Sequence, residues 1–128
     1  MRALTEYGKI VRHYRIDNQI LLADMAKKLG MSSAYLSSIE TGDRSIPANL
    51  TDKLCVEYSL SEQTRLELMK AEAVANKALT ISFADKSDEE IEATVLFARE
   101  MQNYSVEEIR AIHKKLKGEK NVYQTEVK

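Results

Sequence analysis

A chain of 128 residues, 44% hydrophobic and 30% charged, is long enough to bury a core and too evenly mixed to be a disordered tail. Its single cysteine, Cys55, excludes an internal disulfide or a thiol pair for a metal, and no apolar run nears the roughly 20 residues that span a bilayer. Net charge is −1, made of eight basic and seven acidic residues over 1–60 and eleven and thirteen over 61–128, which excludes nucleic-acid binding by bulk charge alone. A folded protein of the reducing cytoplasm is expected, without secretion signal or membrane segment.

Helical spacing dominates from the start. Tyr7, Ile10, Val11 and Tyr14 recur at i, i+3, i+4 and i+7 behind Thr5, which predicts an amphipathic first helix with Thr5 as its cap. Met25, Ala26 and Leu29 predict a short second helix stopped by Gly30, and Leu36 and Ile39 a third, begun after Ser32 and closed by Gly42. Pro47 is expected to open a fourth helix, where its missing N–H costs nothing, with Leu50, Leu54 and Tyr58 inward. Ser61 is the expected cap of a fifth, carrying Leu66, Met69 and Ala73 to about Asn76.

Leu79, Ile81 and Phe83 alternate with Thr80 and Ser82, the period of a short half-buried strand. No second strand is evident, so two readings stay open. The segment pairs with its counterpart in a second subunit, or it is an extended linker with its apolar side chains tucked down. Two more helices are announced by capping boxes, Ser87 with Glu90 and Ser105 with Glu108. Ile91, Val95 and Ala98 line the first, and Leu96, Phe97 and Met101 widen its apolar face enough to suggest burial on more than one side. Ile109, Ile112 and Leu116 line the second before Gly118, and residues 119–128 are expected to fray as a flexible tail.

The informative stretch is Ala23 to Pro47, ADMAKKLGMSSAYLSSIETGDRSIP. Small Ala26 suits a close helix approach, Gly30 a left-handed turn, and Ser32 a helix cap, while Leu36 and Ile39 hold the third helix on the core. That leaves Ser33, Ala34, Tyr35, Ser37 and Ser38 leading or facing outward, able to enter a DNA major groove.

On Met25-Ala26, Leu29-Gly30, Leu36-Ser37, Ile39-Glu40, Gly42 and Ile46-Pro47, the region from about Leu4 to Leu60 resembles the Xre (Cro-like) helix-turn-helix repressors of phages, mobile elements and bacterial operons. The resemblance implies that the helix from Ser33 reads base edges, that the loop holding Arg44 touches phosphate, and that Arg15 pairs with Glu40 to pin that helix to its scaffold. The sequence departs from the family at Leu21 and Leu22, which stand where many members carry a capping Ser or Thr followed by Gln that anchors the DNA backbone. Three consequences stay open: weaker binding, compensation by Arg44, Asn49 and Lys53, or an apolar partner at that corner. The serine-rich reading helix also lacks the Arg, Gln and Asn that make bidentate base contacts, so specificity is expected to draw on DNA shape, on Tyr35 near a thymine methyl, and on half-site spacing.

His13 and His113 lack companions at metal-ligand spacing, and no nucleophile, base and orienting group stand together, so neither a metal, a cofactor nor catalysis is expected. Cys55 beside the inward stripe of helix four is expected to behave as a small hydrophobe, and Lys114, Lys115 and Lys117 to complement a helix C-terminus.

The expected architecture is all-α: a five-helix lambda-repressor-like DNA-binding domain over 1–77, a dimerisation segment of one strand and two helices over 78–118, and the tail over 119–128. The DNA-contacting set is Ser32, Ser33, Ala34, Tyr35, Ser37, Ser38, Arg44 and Asn49, and the dimerisation set is Leu79, Ile81, Phe83, Phe97 and Met101. The expected function is an autoregulatory homodimeric repressor of transcription bound to double-stranded DNA. The rivals are an antitoxin-like regulator whose C-terminal segment grips a toxin or a zinc metallopeptidase, and an interaction module that has lost DNA binding.

Overall fold

Seven helices account for the regular structure of the described residues: α1 (Glu6–Asp17), α2 (Leu22–Lys28), α3 (Ser33–Thr41), α4 (Leu50–Glu57), α5 (Glu62–Asn76), α6 (Asp88–Met101) and α7 (Val106–Glu126). The computed structural model describes residues 3–126, with side chains described for residues 3–118. The chain divides into two compact units, Met1–Ile81 and Ser82–Lys128.

In the first unit most helix boundaries are set by local chemistry. The hydroxyls of Thr5, Ser32 and Ser61 each accept a hydrogen bond from a backbone amide of the turn they cap. Gly30 and Gly42 take φ of 72° and 85°, the left-handed backbone that a side chain resists. α1 packs on α3 and α5, α2 on α3, and α4 on α5. Tyr7, Val11, Met25, Ala26, Leu29, Leu36, Ile39, Ile46, Leu50, Leu54, Cys55 and Leu68 form the buried core, with Ile10, Tyr14, Leu22 and Tyr58 partly buried against it. Burial pushes the Cys55 thiol pKa up, which keeps it a neutral, apolar filler.

Three details depart from the sequence pattern. Pro47 does not open α4; it leads a turn in which the Leu50 amide donates to the Pro47 carbonyl at 3.1 Å, and the helix begins at Leu50. Leu66 and Met69 of α5 are exposed at 46% and 38%, whereas Leu68 and Glu72 face inward. The inner face of α5 is partly polar because Glu72 has a buried partner: the Thr51 hydroxyl donates to its carboxylate at 2.6 Å, so the Tyr7 hydroxyl, 2.9 Å from Thr51 Oγ1, donates in turn to Thr51. Burial, reinforced by the nearby Glu72 charge, drives the Tyr7 phenol pKa upward and keeps it a proton donor. Finally, the segment Leu79–Phe83 is not a strand. It is irregular chain with no ladder partner among the described residues, and a lone extended segment has nothing to satisfy its backbone groups but water. Leu79 and Ile81 are 58% and 55% exposed; only Phe83 is half-buried.

The second unit holds α6 and α7. Both capping boxes form: Ser87 and Glu90 exchange bonds with each other's backbone amides, and so do Ser105 and Glu108. The apolar face of α6, expected to be buried on more than one side, contains no buried residue; Ile91 and Met101 are half-buried, and Val95, Leu96 and Phe97 are exposed. The backbone of α7 is helical through Gly118 to Glu126. The expected tail over 119–128 therefore begins in helix, and its side chains lie outside the described residues.

Gly8 carries a constraint that the apolar pattern does not register. A Cβ placed there would stand 2.1 Å from the Glu40 carbonyl oxygen and 2.8 Å from its carbonyl carbon, both backbone atoms at the end of α3. Gly8→Ala must push α1 off α3, and an unfolding free energy lower by about 3 kcal/mol is expected in urea denaturation; an unchanged midpoint would mean that the two helices separate without loss.

Candidate nucleic-acid interface

α3 is held by its inner side and presented by its outer one. Leu36, Ile39 and Glu40 are buried, while Ala34 and Tyr35 are exposed and Ser33, Ser37 and Ser38 half-buried. At the start, the Ser32 hydroxyl accepts from the Tyr35 amide at 3.1 Å. At the end, Glu40 gathers four groups. Its carboxylate takes the Arg15 guanidinium in a two-pronged pair, Nη1 on Oε2 and Nη2 on Oε1, with Arg12 Nε 3.9 Å away at the rim. Its carbonyl accepts from the Thr5 amide at 3.0 Å and the Thr5 hydroxyl at 3.1 Å. Arg15 and Glu40 retain 5% and 1% of their exposure, so the pair is desolvated.

After Gly42 the chain turns back across the exposed face of α3. The Arg44 amide donates to the Ser38 carbonyl at 3.1 Å, and its guanidinium carbon lies 6.0 Å from the Tyr35 ring centroid, within cation–π range. Ser32, Ala34, Tyr35, Ser38 and Arg44 thereby line one open groove of about 370 Å³. The Ser38 hydroxyl is spent as a donor on the Tyr35 carbonyl at 2.6 Å, which leaves its oxygen to accept. Ser33 and Ser37 share the helix but not the groove, and Asn49 lies elsewhere, lining a second groove of about 460 Å³ with Lys28, Gly30, Lys53 and Val56. Asn49 occupies the cap position of α4 without a side-chain cap bond.

Leu21 and Leu22 have different fates. Leu21 is the cap residue of α2, offers no side-chain bond and is 69% exposed, whereas Leu22 packs against the core. Of the residues expected to mediate dimerisation, Leu79 and Ile81 belong to the first unit, and Phe83, Phe97 and Met101 to the second. Among the described residues no group of three or more His, Cys, Asp or Glu is placed to hold a metal ion, and no helix is long and apolar enough to cross a membrane.

Sequence reasoning overlooked Gly8 and Asn76. Gly8 does leave a signal, since glycine inside a helical pattern lowers helix stability and often marks a close backbone approach. Asn76 leaves none: at a helix end it reads as an ordinary polar terminus, yet its side chain bonds both backbone groups of Ile46.

Residues 6–68, from the start of α1 into α5, match a family model described as a helix-turn-helix domain. The matched stretch contains α2 and α3, which pack on one another on either side of the Gly30 turn. No curated protein and no solved structure matches the chain.

The Arg15–Glu40 pair sets a test of the scaffold. Arg15→Ala leaves a carboxylate buried with only the rim contact of Arg12, and an unfolding free energy lower by about 3–5 kcal/mol is expected in urea denaturation; a loss below about 1 kcal/mol would class it with ordinary surface ion pairs.

Proposed function

We propose that this protein is a sequence-specific repressor of the Xre (Cro-like) kind, which enters the DNA major groove with α3 as a homodimer in the cytoplasm and acts on its own promoter. The observation that carries this reading is the groove of Ser32, Ala34, Tyr35, Ser38 and Arg44 on the exposed side of α3. Small side chains let the helix approach base edges closely, Ser38 offers an acceptor to an adenine or cytosine amino group, and Arg44 supplies the charge for a phosphate. Ser33 and Ser37 add polar contacts along the same helix, and Asn49 and Lys53, in their separate groove, offer a further contact to the DNA backbone. Arg44 takes over the anchoring that Leu21 cannot provide.

Dimerisation is supported by the second unit, where no residue of α6 is fully buried and apolar Val95, Leu96 and Phe97 are 54%, 69% and 47% exposed. Two copies related by a twofold axis would read half-sites about 34 Å apart, and the energies of two modest recognition helices would add. The same uncovered face also fits a different protein, which keeps the antitoxin-like reading as the second one.

Fluorescence-anisotropy titration of DNA from upstream of the gene, against unrelated DNA, tests the binding. Selective binding is expected, with affinity falling as salt rises by a slope of about −0.9 per phosphate contact, and Arg44→Ala should weaken binding and flatten the slope. No binding to either DNA at low salt would overturn the repressor reading and turn attention to exposed Leu21 as a protein contact. In sedimentation equilibrium the wild type should run as a dimer and Phe97→Glu as a monomer. A monomeric wild type would favour the partner-protein reading.

A further inference from the structure

We propose that Asn76 is a positioning residue for the DNA contact of Arg44, clamping the α3–α4 loop in its binding shape; this rests on the DNA-binding reading above. Asn76 is the last residue of α5, yet its side-chain amide meets the backbone of Ile46 on both sides. Its Oδ1 accepts from the Ile46 amide at 3.0 Å, and its Nδ2 donates to the Ile46 carbonyl at 2.8 Å. One planar amide thus does for Ile46 what a neighbouring strand would do, in a loop that has no regular structure of its own.

The clamp matters because of where Arg44 lies. On one side its own amide is tied to the Ser38 carbonyl of α3; on the other, only Ser45 separates it from the clamped Ile46. Arg44 is therefore suspended between an anchor on α3 and an anchor on α5, with its guanidinium over the Tyr35 ring. Asn76 is itself well seated. α5 packs on α1 and α4, and its last turn closes through Lys77 in the left-handed region, φ 53°, and an Ala78 amide bonded to the Ala73 carbonyl at 3.2 Å. Without the Asn76 amide, both polar groups of Ile46 must turn to water, and the loop gains shapes in which the arginine no longer points where a phosphate would sit. Alanine offers neither bond, and serine is too short to make both at once.

The experiment is a double-mutant cycle on the full chain, read by anisotropy across a salt series, for wild type, Asn76→Ala, Asn76→Ser, Arg44→Ala and Asn76→Ala with Arg44→Ala. Circular dichroism at the assay temperature checks that each is folded; should Asn76→Ala fail to fold, the milder Asn76→Ser carries the comparison, alone and with Arg44→Ala. Loss of the clamp is expected to weaken binding about three- to tenfold and to flatten the salt slope in the same direction as Arg44→Ala. In the Arg44→Ala background the same change should alter affinity by less than about twofold, because the two act through one contact. Wild-type binding that Asn76→Ala leaves untouched, or losses that multiply in the double variant, would overturn this role alone. Absence of wild-type binding would overturn the DNA-binding reading and the role of Asn76 with it.

Discussion

Glu40 is the point on which the first unit turns. Placing a carboxylate in the core carries a desolvation penalty of several kcal/mol, which only well-formed partners can offset. Here the guanidinium of Arg15 meets it with two parallel bonds, the arrangement for which arginine is better suited than lysine. Because Arg15 comes from α1 and Glu40 from the last turn of α3, the pair sets the angle between the scaffold helix and the presented helix. The Thr5 bonds to the Glu40 carbonyl and the bare Cα of Gly8 against the same carbonyl bring the helices to a single separation. Charge, hydrogen bonding and the lack of a side chain all act at one crossing.

A second polar connection runs through the remainder of the unit. Tyr7 of α1, Thr51 of α4 and Glu72 of α5 form a chain of hydroxyl donors ending on a carboxylate. Apolar packing is non-directional and tolerates several arrangements of five short helices, whereas a buried donor–acceptor chain is satisfied in few of them. Such a network favours one geometry over its neighbours. It also explains the inner face of α5, where a glutamate occupies a place that hydrophobic periodicity would assign to an apolar residue.

The second unit is built on different terms. Each of its helices is begun by a reciprocal capping box, so its start is specified within four residues and needs no tertiary support. None of its described residues is fully buried. Helices that place Val95, Leu96, Phe97 and Leu116 in contact with water are stabilised mainly by local terms, and further stabilisation is available from covering that surface.

Features that depend on neighbours a few residues apart are legible in one dimension: the Thr5, Ser32 and Ser61 caps, the glycine stops at Gly30 and Gly42, the inward set of α1, and the turn between α2 and α3. These signals act through hydrogen bonds and backbone sterics spanning three or four residues, which is why they survive in one dimension. The pairing of Arg15 with Glu40 was also named from the sequence, through family likeness rather than spacing. Packing alone settles which face of α5 turns inward, that Gly8 must be bare, that Asn76 reaches Ile46, and that Arg44 folds back over Tyr35 while Asn49 lies apart. Each of these depends on atoms brought together by packing from distant parts of the chain. The Leu79–Phe83 segment marks the same limit: its alternation is a local property, but a strand exists only when a second segment supplies the hydrogen bonds.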